Sequence, residues 1–167
     1  MININKIIEK IEENVIDDIN ELGFDIEYIE YVKELDSYIL RVVVDKLNGE
    51  SINIEEIENI SRKIEDKVDN LMNNNEYIFE VSSPGLERQL KNIKLYKKYI
   101  GKDIFVKLYK QTNILDDIKL KEFECKLIDV VDNNIVINLC INDINIKTSI
   151  CIDDIGKAYT VYDFKGE

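Results

Sequence analysis

Between Lys91 and Lys110 the chain carries seven lysines (91, 94, 97, 98, 102, 107 and 110) against one acid, Asp103, with Tyr96, Tyr99, Phe105 and Tyr109 set among them. Ammonium groups at this density can neutralise phosphates and release their counterions, and the aromatic faces between them can stack on unpaired bases. Arg88, just upstream, adds a planar fork suited to phosphate. The residues expected to contact a nucleic acid are therefore Arg88, Lys94, Lys97, Lys98, Lys102, Lys107 and Lys110. In a lysine-rich chain the same pattern also fits a solvated basic face over ordinary core aromatics, and the residues alone leave both readings open.

Other chemistries find little support. The chain has no histidine, which removes the commonest general base and the commonest metal ligand. Cys125, Cys140 and Cys151 lie 15 and 11 residues apart in apolar stretches. That spacing matches no metal or redox pair, and the thiols read as small buried apolar side chains. Ser82 and Ser83 have no identifiable base to activate them as nucleophiles. The expectation is a protein without enzyme activity, cofactor or metal.

Formal net charge is −12, unevenly spread. Met1 to Lys91 hold 10 basic and 22 acidic residues, whereas Asn92 to Glu167 hold 12 of each. Such asymmetry points to two units with different surfaces. An acidic surface is repelled by bare nucleic acid at long range and attracts basic protein. Glu12, Glu13 and Asp17, on the first helical repeat, are the acids expected to face such a partner. Plain solubility accounts for the same acids equally well. A composition of 45% hydrophobic and 34% charged residues is that of a folded globular chain. No apolar run approaches the roughly 18 residues of a membrane span, and the N-terminus lacks the order of a signal peptide. The expected location is the cytoplasm.

Two kinds of element must position these groups. Ile4, Ile7, Ile8, Ile11, Val15, Ile19 and Leu22 recur at helical spacing, with Gly23 placed to end the helix in the left-handed conformation. Phe24 to Tyr28 alternates as a strand, and Tyr38 to Val44 is a second strand rich in β-branched residues. Asn53 and Glu56 have capping-box spacing ahead of the stripe Ile54, Ile57, Ile60, Ile64, Val68 and Leu71. Tyr77 to Val81 is a third strand. This α-β-β-α-β order predicts a small sheet with both helices on one face. Ser82-Ser83-Pro84-Gly85 then predicts a type II turn, with Gly85 at positive φ. Past the basic segment come five short strands, Ile104–Tyr109, Phe123–Val131, Ile135–Ile141, Ile144–Ile152 and Ala158–Phe164. Asp132-Asn133-Asn134 and Asn142-Asp143 supply hairpin turns between three of them. The fold class expected is α+β, an acidic α/β domain over 1–90 followed by a five-stranded β-barrel over 91–167.

The segment Val81-Ser82-Ser83-Pro84-Gly85-Leu86-Glu87-Arg88, after an α-β-β-α pattern, resembles the signature of the RimP ribosome maturation family. Leu22-Gly23-Phe24 and the alternating strand with Glu30 resemble that family's first helix–strand junction, while Gln89 stands where the family usually has proline. The resemblance is strongest from Ile19 to Leu90. It implies that the barrel is SH3-like or Sm-like and that Ser82, Ser83, Pro84, Gly85, Leu86 and Arg88 form an interdomain motif. It further implies a role in late maturation of the small ribosomal subunit, with the immature subunit and its ribosomal RNA as partners; the acidic first half adds a basic ribosomal protein to these, and a monomer is expected. No catalytic residue is implied. A general Sm-like RNA-binding module, or an acidic adaptor for basic proteins, remain alternative readings.

Overall fold

The computed structural model describes residues 3–73, 75–85, 87–115 and 118–161. It divides into two compact units, Met1–Pro84 and Gly85–Glu167. Counted on that division, the first unit holds 8 basic and 21 acidic residues and the second 14 and 13.

In the first unit, α1 (Ile4–Glu21) begins at Asn3, whose side chain accepts from the Asn5 N–H, and buries Ile11, Val15 and Ile19. It stops before Gly23, whose φ of 91° lies where a Cβ is disfavoured. β1 (Phe24–Glu34) and β2 (Ser37–Lys46) pair antiparallel. α2 (Ile54–Met72) starts on the expected capping box: the Glu56 N–H donates to Asn53 Oδ1 at 2.9 Å, and the Asn53 N–H to Glu56 Oε2 at 3.0 Å. β3 (Ile78–Ser82) then runs parallel to β2, giving the order β1-β2-β3. Adjacent parallel strands need a crossover to carry the chain back, and α2 is that crossover. One apolar cluster joins Ile11, Val15 and Ile19 of α1 and Ile60, Ile64 and Val68 of α2 to Leu40, Val42 and Val81 of the strands. Both helices therefore cover one face of the sheet, as the order of elements predicts.

The second unit opens with a short helix that the sequence reading does not contain, α3 (Ile93–Lys98). β4 (Asp103–Leu115), β5 (Ile118–Val131), β6 (Asn134–Ile141), β7 (Ile144–Cys151) and β8 (Ile155–Thr160) follow, with a 3-10 turn at Ile152–Asp154 before the last. Asn142 and Asp143, both at positive φ, make a two-residue turn that sets Ile141 opposite Ile144. β4 and β5 extend further than expected, because residues 111–115 and 118–121 of the polar stretch pair as extensions of the two strands. The final expected strand is described only to Thr160, and its continuation to Phe164 lies outside the described residues.

The five strands form one sheet in the order β7-β6-β5-β4-β8. Its margins, β7 and β8, are not hydrogen-bonded to one another among the described residues, so the pairing is that of an open sheet and not of the closed barrel expected. The sheet is nevertheless curled. Five flat strands would set the margins about 19 Å apart, whereas the connection from Cys151 through Ile152–Asp154 to Ile155 spans at most about 14 Å.

Two further expectations are corrected. Gly85 does not lie at positive φ, so the type II turn is not formed there; a Cβ on Gly85 would make only ordinary contact, 3.7 Å from the Glu87 carbonyl oxygen. Of the thiols only Cys125 is buried. Cys140 is exposed and Cys151 half-buried, because β6 turns Ile135, Ile137 and Leu139 inward and Cys140 follows Leu139 to the other face.

Burial pushes the Cys125 thiol up to about 12, with nearby Asp103 adding to the rise. Burial pushes the Tyr96 hydroxyl up to about 12 as well, with Cys125 as the smaller cause. The folded chain thus holds both protons more tightly than an unfolded chain with the ordinary values of 9.0 and 10.0. Their contribution to stability is whole below those values and is lost as pH rises toward about 12. Thermal melts across this window should show a steep alkaline fall in Tm that Cys125→Ala and Tyr96→Phe each make shallower. The same slope in both variants as in the wild type would contradict this.

Candidate nucleic-acid interface

α3 is fixed by Asn92, whose side chain accepts from the Leu95 N–H at 2.9 Å. Leu95 and Tyr96 point into the core, which leaves Lys94, Lys97 and Lys98 exposed. Lys97 and Lys98 occupy the last turn, where cations complement the partial negative charge of the carbonyls. The Lys98 ammonium lies 5.4 Å from the centre of the Tyr99 ring. The chain then joins the sheet through Gly101, whose N–H donates to the Leu127 carbonyl at 2.7 Å, while the Leu127 N–H donates to the Lys102 carbonyl at 3.0 Å.

Along β4, Ile104, Val106 and Leu108 are buried, and strand alternation turns Phe105, Lys107 and Tyr109 to the other face. Lys102, Lys107 and Lys110 are exposed. All six lysines expected at the interface therefore reach solvent, three on one short helix, Lys102 just before β4, and Lys107 and Lys110 on it. The aromatics divide differently. Tyr96 is a core residue, Phe105 stacks on Tyr159 at 5.0 Å between ring centres, and Tyr99 is half-buried. Only Tyr109, 68% exposed, has the open face that the lysine–aromatic pattern suggested for all four.

Arg88 is half-buried and its backbone is fixed. Its N–H donates to Thr160 Oγ1 at 2.9 Å, and its carbonyl accepts from the Thr160 N–H at 2.9 Å. With the Leu90 N–H donating to the Ala158 carbonyl at 2.9 Å, residues 88–90 run beside β8 and fold with the second unit, upstream of the 90/91 boundary read from the sequence. Ser82 ends β3 opposite Val43, Ser83 and Gly85 are exposed, and Pro84 is half-buried. Leu86 lies outside the described residues.

In the first unit Glu12, Glu13 and Asp17 are exposed on α1. Their neighbour Asp18 instead bonds Lys67 of α2 at 2.6 Å. The strongest polar feature here was missed by the sequence reading. Arg41 contacts Glu30 through Nη1 at 2.6 Å, Glu34 through Nη2 at 2.9 Å and Glu80 through Nε at 2.9 Å. Glu30 and Glu80 flank it in strand register, on β1 and β3. These bonds, Glu34 first and Glu30 next, raise the already high guanidinium pKa further. The signal in the sequence was Arg41 alternating with inward Leu40 and Val42, which turns it to the helix-free face. Its partners depend on register and were not readable. The sequence reading likewise missed Lys157, which the ladder sets directly opposite Lys107.

These features define a two-unit α+β protein with a strongly acidic first unit and a curled, lysine-bearing sheet in the second. Residues 14–87 match the family model of the RimP N-terminal domain. Over that segment the chain resembles the RimP family of ribosome maturation factors, and the match contains the Ser82-Ser83-Pro84-Gly85 motif. No helix among the described residues is long and apolar enough to cross a membrane.

Arg41 joins three strands through charge-assisted bonds. Its replacement by Ala should destabilise the first unit by roughly 1–3 kcal/mol, because three carboxylates then face one another without their shared cation. Adding Glu30→Gln should recover part of that loss in urea melts. Strictly additive effects of the two substitutions would show that the cluster does not couple.

Proposed function

We propose that this chain is a cytoplasmic, non-enzymatic maturation factor for the small (30S) ribosomal subunit, acting late in assembly. In this reading it binds the immature particle as a monomer through ribosomal RNA and a basic ribosomal protein. The observation that carries the proposal is the match of residues 14–87 to the RimP N-terminal domain. The distribution of charge supports a division of labour. Arg88, Lys94, Lys97, Lys98, Lys102, Lys107 and Lys110 contact RNA phosphates, and Glu12, Glu13 and Asp17 face the basic protein. An acidic unit of 8 basic and 21 acidic residues suits a basic protein and not bare RNA. The curled five-stranded sheet, whose first strand pairs with its last, fits an SH3-like or Sm-like barrel left open at one seam. A general Sm-like module is disfavoured because the matched segment lies mostly in the first unit, which such a module does not need.

Replacing Lys94, Lys97, Lys98 and Lys102 together by Gln should weaken association with purified small subunits. The salt dependence should also become shallower, by roughly one unit of slope for each lysine that meets a phosphate. Unchanged affinity and slope would remove the RNA role of these lysines. Charge reversal at Glu12, Glu13 and Asp17 should weaken binding with little change in slope, and undiminished binding would remove the protein-facing role of α1.

A further inference from the structure

We propose that the second unit holds a site for one unstacked RNA nucleotide, with Tyr109 as the platform for the base and Lys107 and Lys157 as the phosphate contacts. This rests on the reading of the chain as a factor that touches RNA. It begins from an irregularity in the sheet. β4 pairs Lys107 with Lys157 and then Leu108 with Ile155, which leaves Gly156 as an extra residue on β8. Bulges of this kind bend a strand and re-aim the side chains beside them.

Gly156 does not lie at positive φ, so its backbone conformation does not demand a glycine. Tyr109 does. A Cβ on Gly156 would sit 3.3 Å from both Cδ1 and Cε1 of the Tyr109 ring and 3.5 Å from the Lys107 carbonyl oxygen. A glycine inside a strand weakens it and often marks a close approach. Here the space freed is given to a side chain that is 68% exposed and recovers little burial in return. A ring seated against the backbone and open to solvent is poor packing and a good stacking surface.

The charges beside the ring agree with this. Lys107 and Lys157 stand directly opposite in the ladder, an arrangement that costs stability by like-charge repulsion. Glu122 flanks Lys107 on its β5 side, and Lys157 has no acid opposite it on β4. Its ammonium lies 5.4 Å from the centre of the Tyr159 ring, which itself stacks on Phe105. A phosphate between the two lysines would relieve their repulsion. Next to them a cavity of about 330 Å³ is lined by Lys91, Tyr109, Asp153, Gly156 and Lys157 among others. Asp153 repels a phosphate and can accept from an exocyclic amine, which orients the base toward it and the phosphate toward the lysines. A base paired in a duplex cannot present its face to Tyr109, so the ligand is single-stranded.

The test uses the full chain and a labelled oligoribonucleotide, alone and annealed to its complement, with binding read by anisotropy across a salt series. The wild type should prefer the single strand. Tyr109→Ala should weaken that binding roughly tenfold with an unchanged salt slope, the loss of one stacked base, and Tyr109→Phe should retain it. Gly156→Ala should also weaken it while leaving the thermal melt of the protein near that of the wild type. Lys107→Gln with Lys157→Gln should reduce the slope by about two. Wild-type affinity in Tyr109→Ala, or equal losses for single strand and duplex, would overturn the pocket while the lysine variants still report on RNA contact. Failure of the wild type to bind either RNA would overturn the pocket and the RNA reading together.

Discussion

The pairing of β4 with β8 is the interaction on which the second unit depends. It joins the first strand of the sheet to the last, across most of that unit's length. Because β7 and β8 are consecutive in the chain yet occupy opposite margins, this pairing also obliges the sheet to curl. Residues 88–90 are bonded to the outer side of β8 and are thereby fixed just before α3 and its lysines. The same ladder brings Lys107 to Lys157 and Tyr109 to Gly156. A lysine strand with nothing opposite it would be a diffuse basic patch. Set against β8, it becomes a place with a shape.

The first unit solves a different problem. Its core is complete within itself, two helices over one face of three strands, so exposed acids outside its ion pairs can vary without disturbing the core. Part of that acidity is structural: Arg41 gathers Glu30, Glu34 and Glu80 and ties β1, β2 and β3 together on the helix-free face. The carboxylates of α1 at Glu12, Glu13 and Asp17 have no such duty in the core. Under the proposed function, a strongly acidic unit beside a near-neutral one that clusters its lysines suits a factor that meets both polyanionic RNA and the basic proteins bound to it. In the proposed function, long-range repulsion would keep the acidic unit from competing for RNA, while the lysines of α3 and β4 have the sheet to orient them.

What was legible in the sequence was local. The α1 stripe, the capping box of Asn53 and Glu56, the positive φ of Gly23 and the Asn142-Asp143 turn are all decided by residues within about four positions of each other. What was not legible depends on register. Cys140 is an exception that was overlooked: the local alternation of Ile135, Ile137 and Leu139 already turns it outward. Gly85 was misjudged because Pro-Gly predicts a type II turn in isolation, whereas the bonds of residues 88–90 to β8 set the path of the chain just beyond it. Among the candidate site residues, exposure of the lysines was readable from their charge. That Tyr96 is core and Tyr109 open was not, since both sit among lysines, and only the helix and the bulge separate their fates.

The central claim is that the two units together engage a maturing small subunit, and sucrose-gradient fractionation of cells carrying the tagged full chain tests it most directly. The account predicts that the protein sediments with free small subunits and is absent from joined ribosomes and polysomes. Sedimentation only at the top of the gradient, in cells whose small subunits are actively maturing, would contradict it.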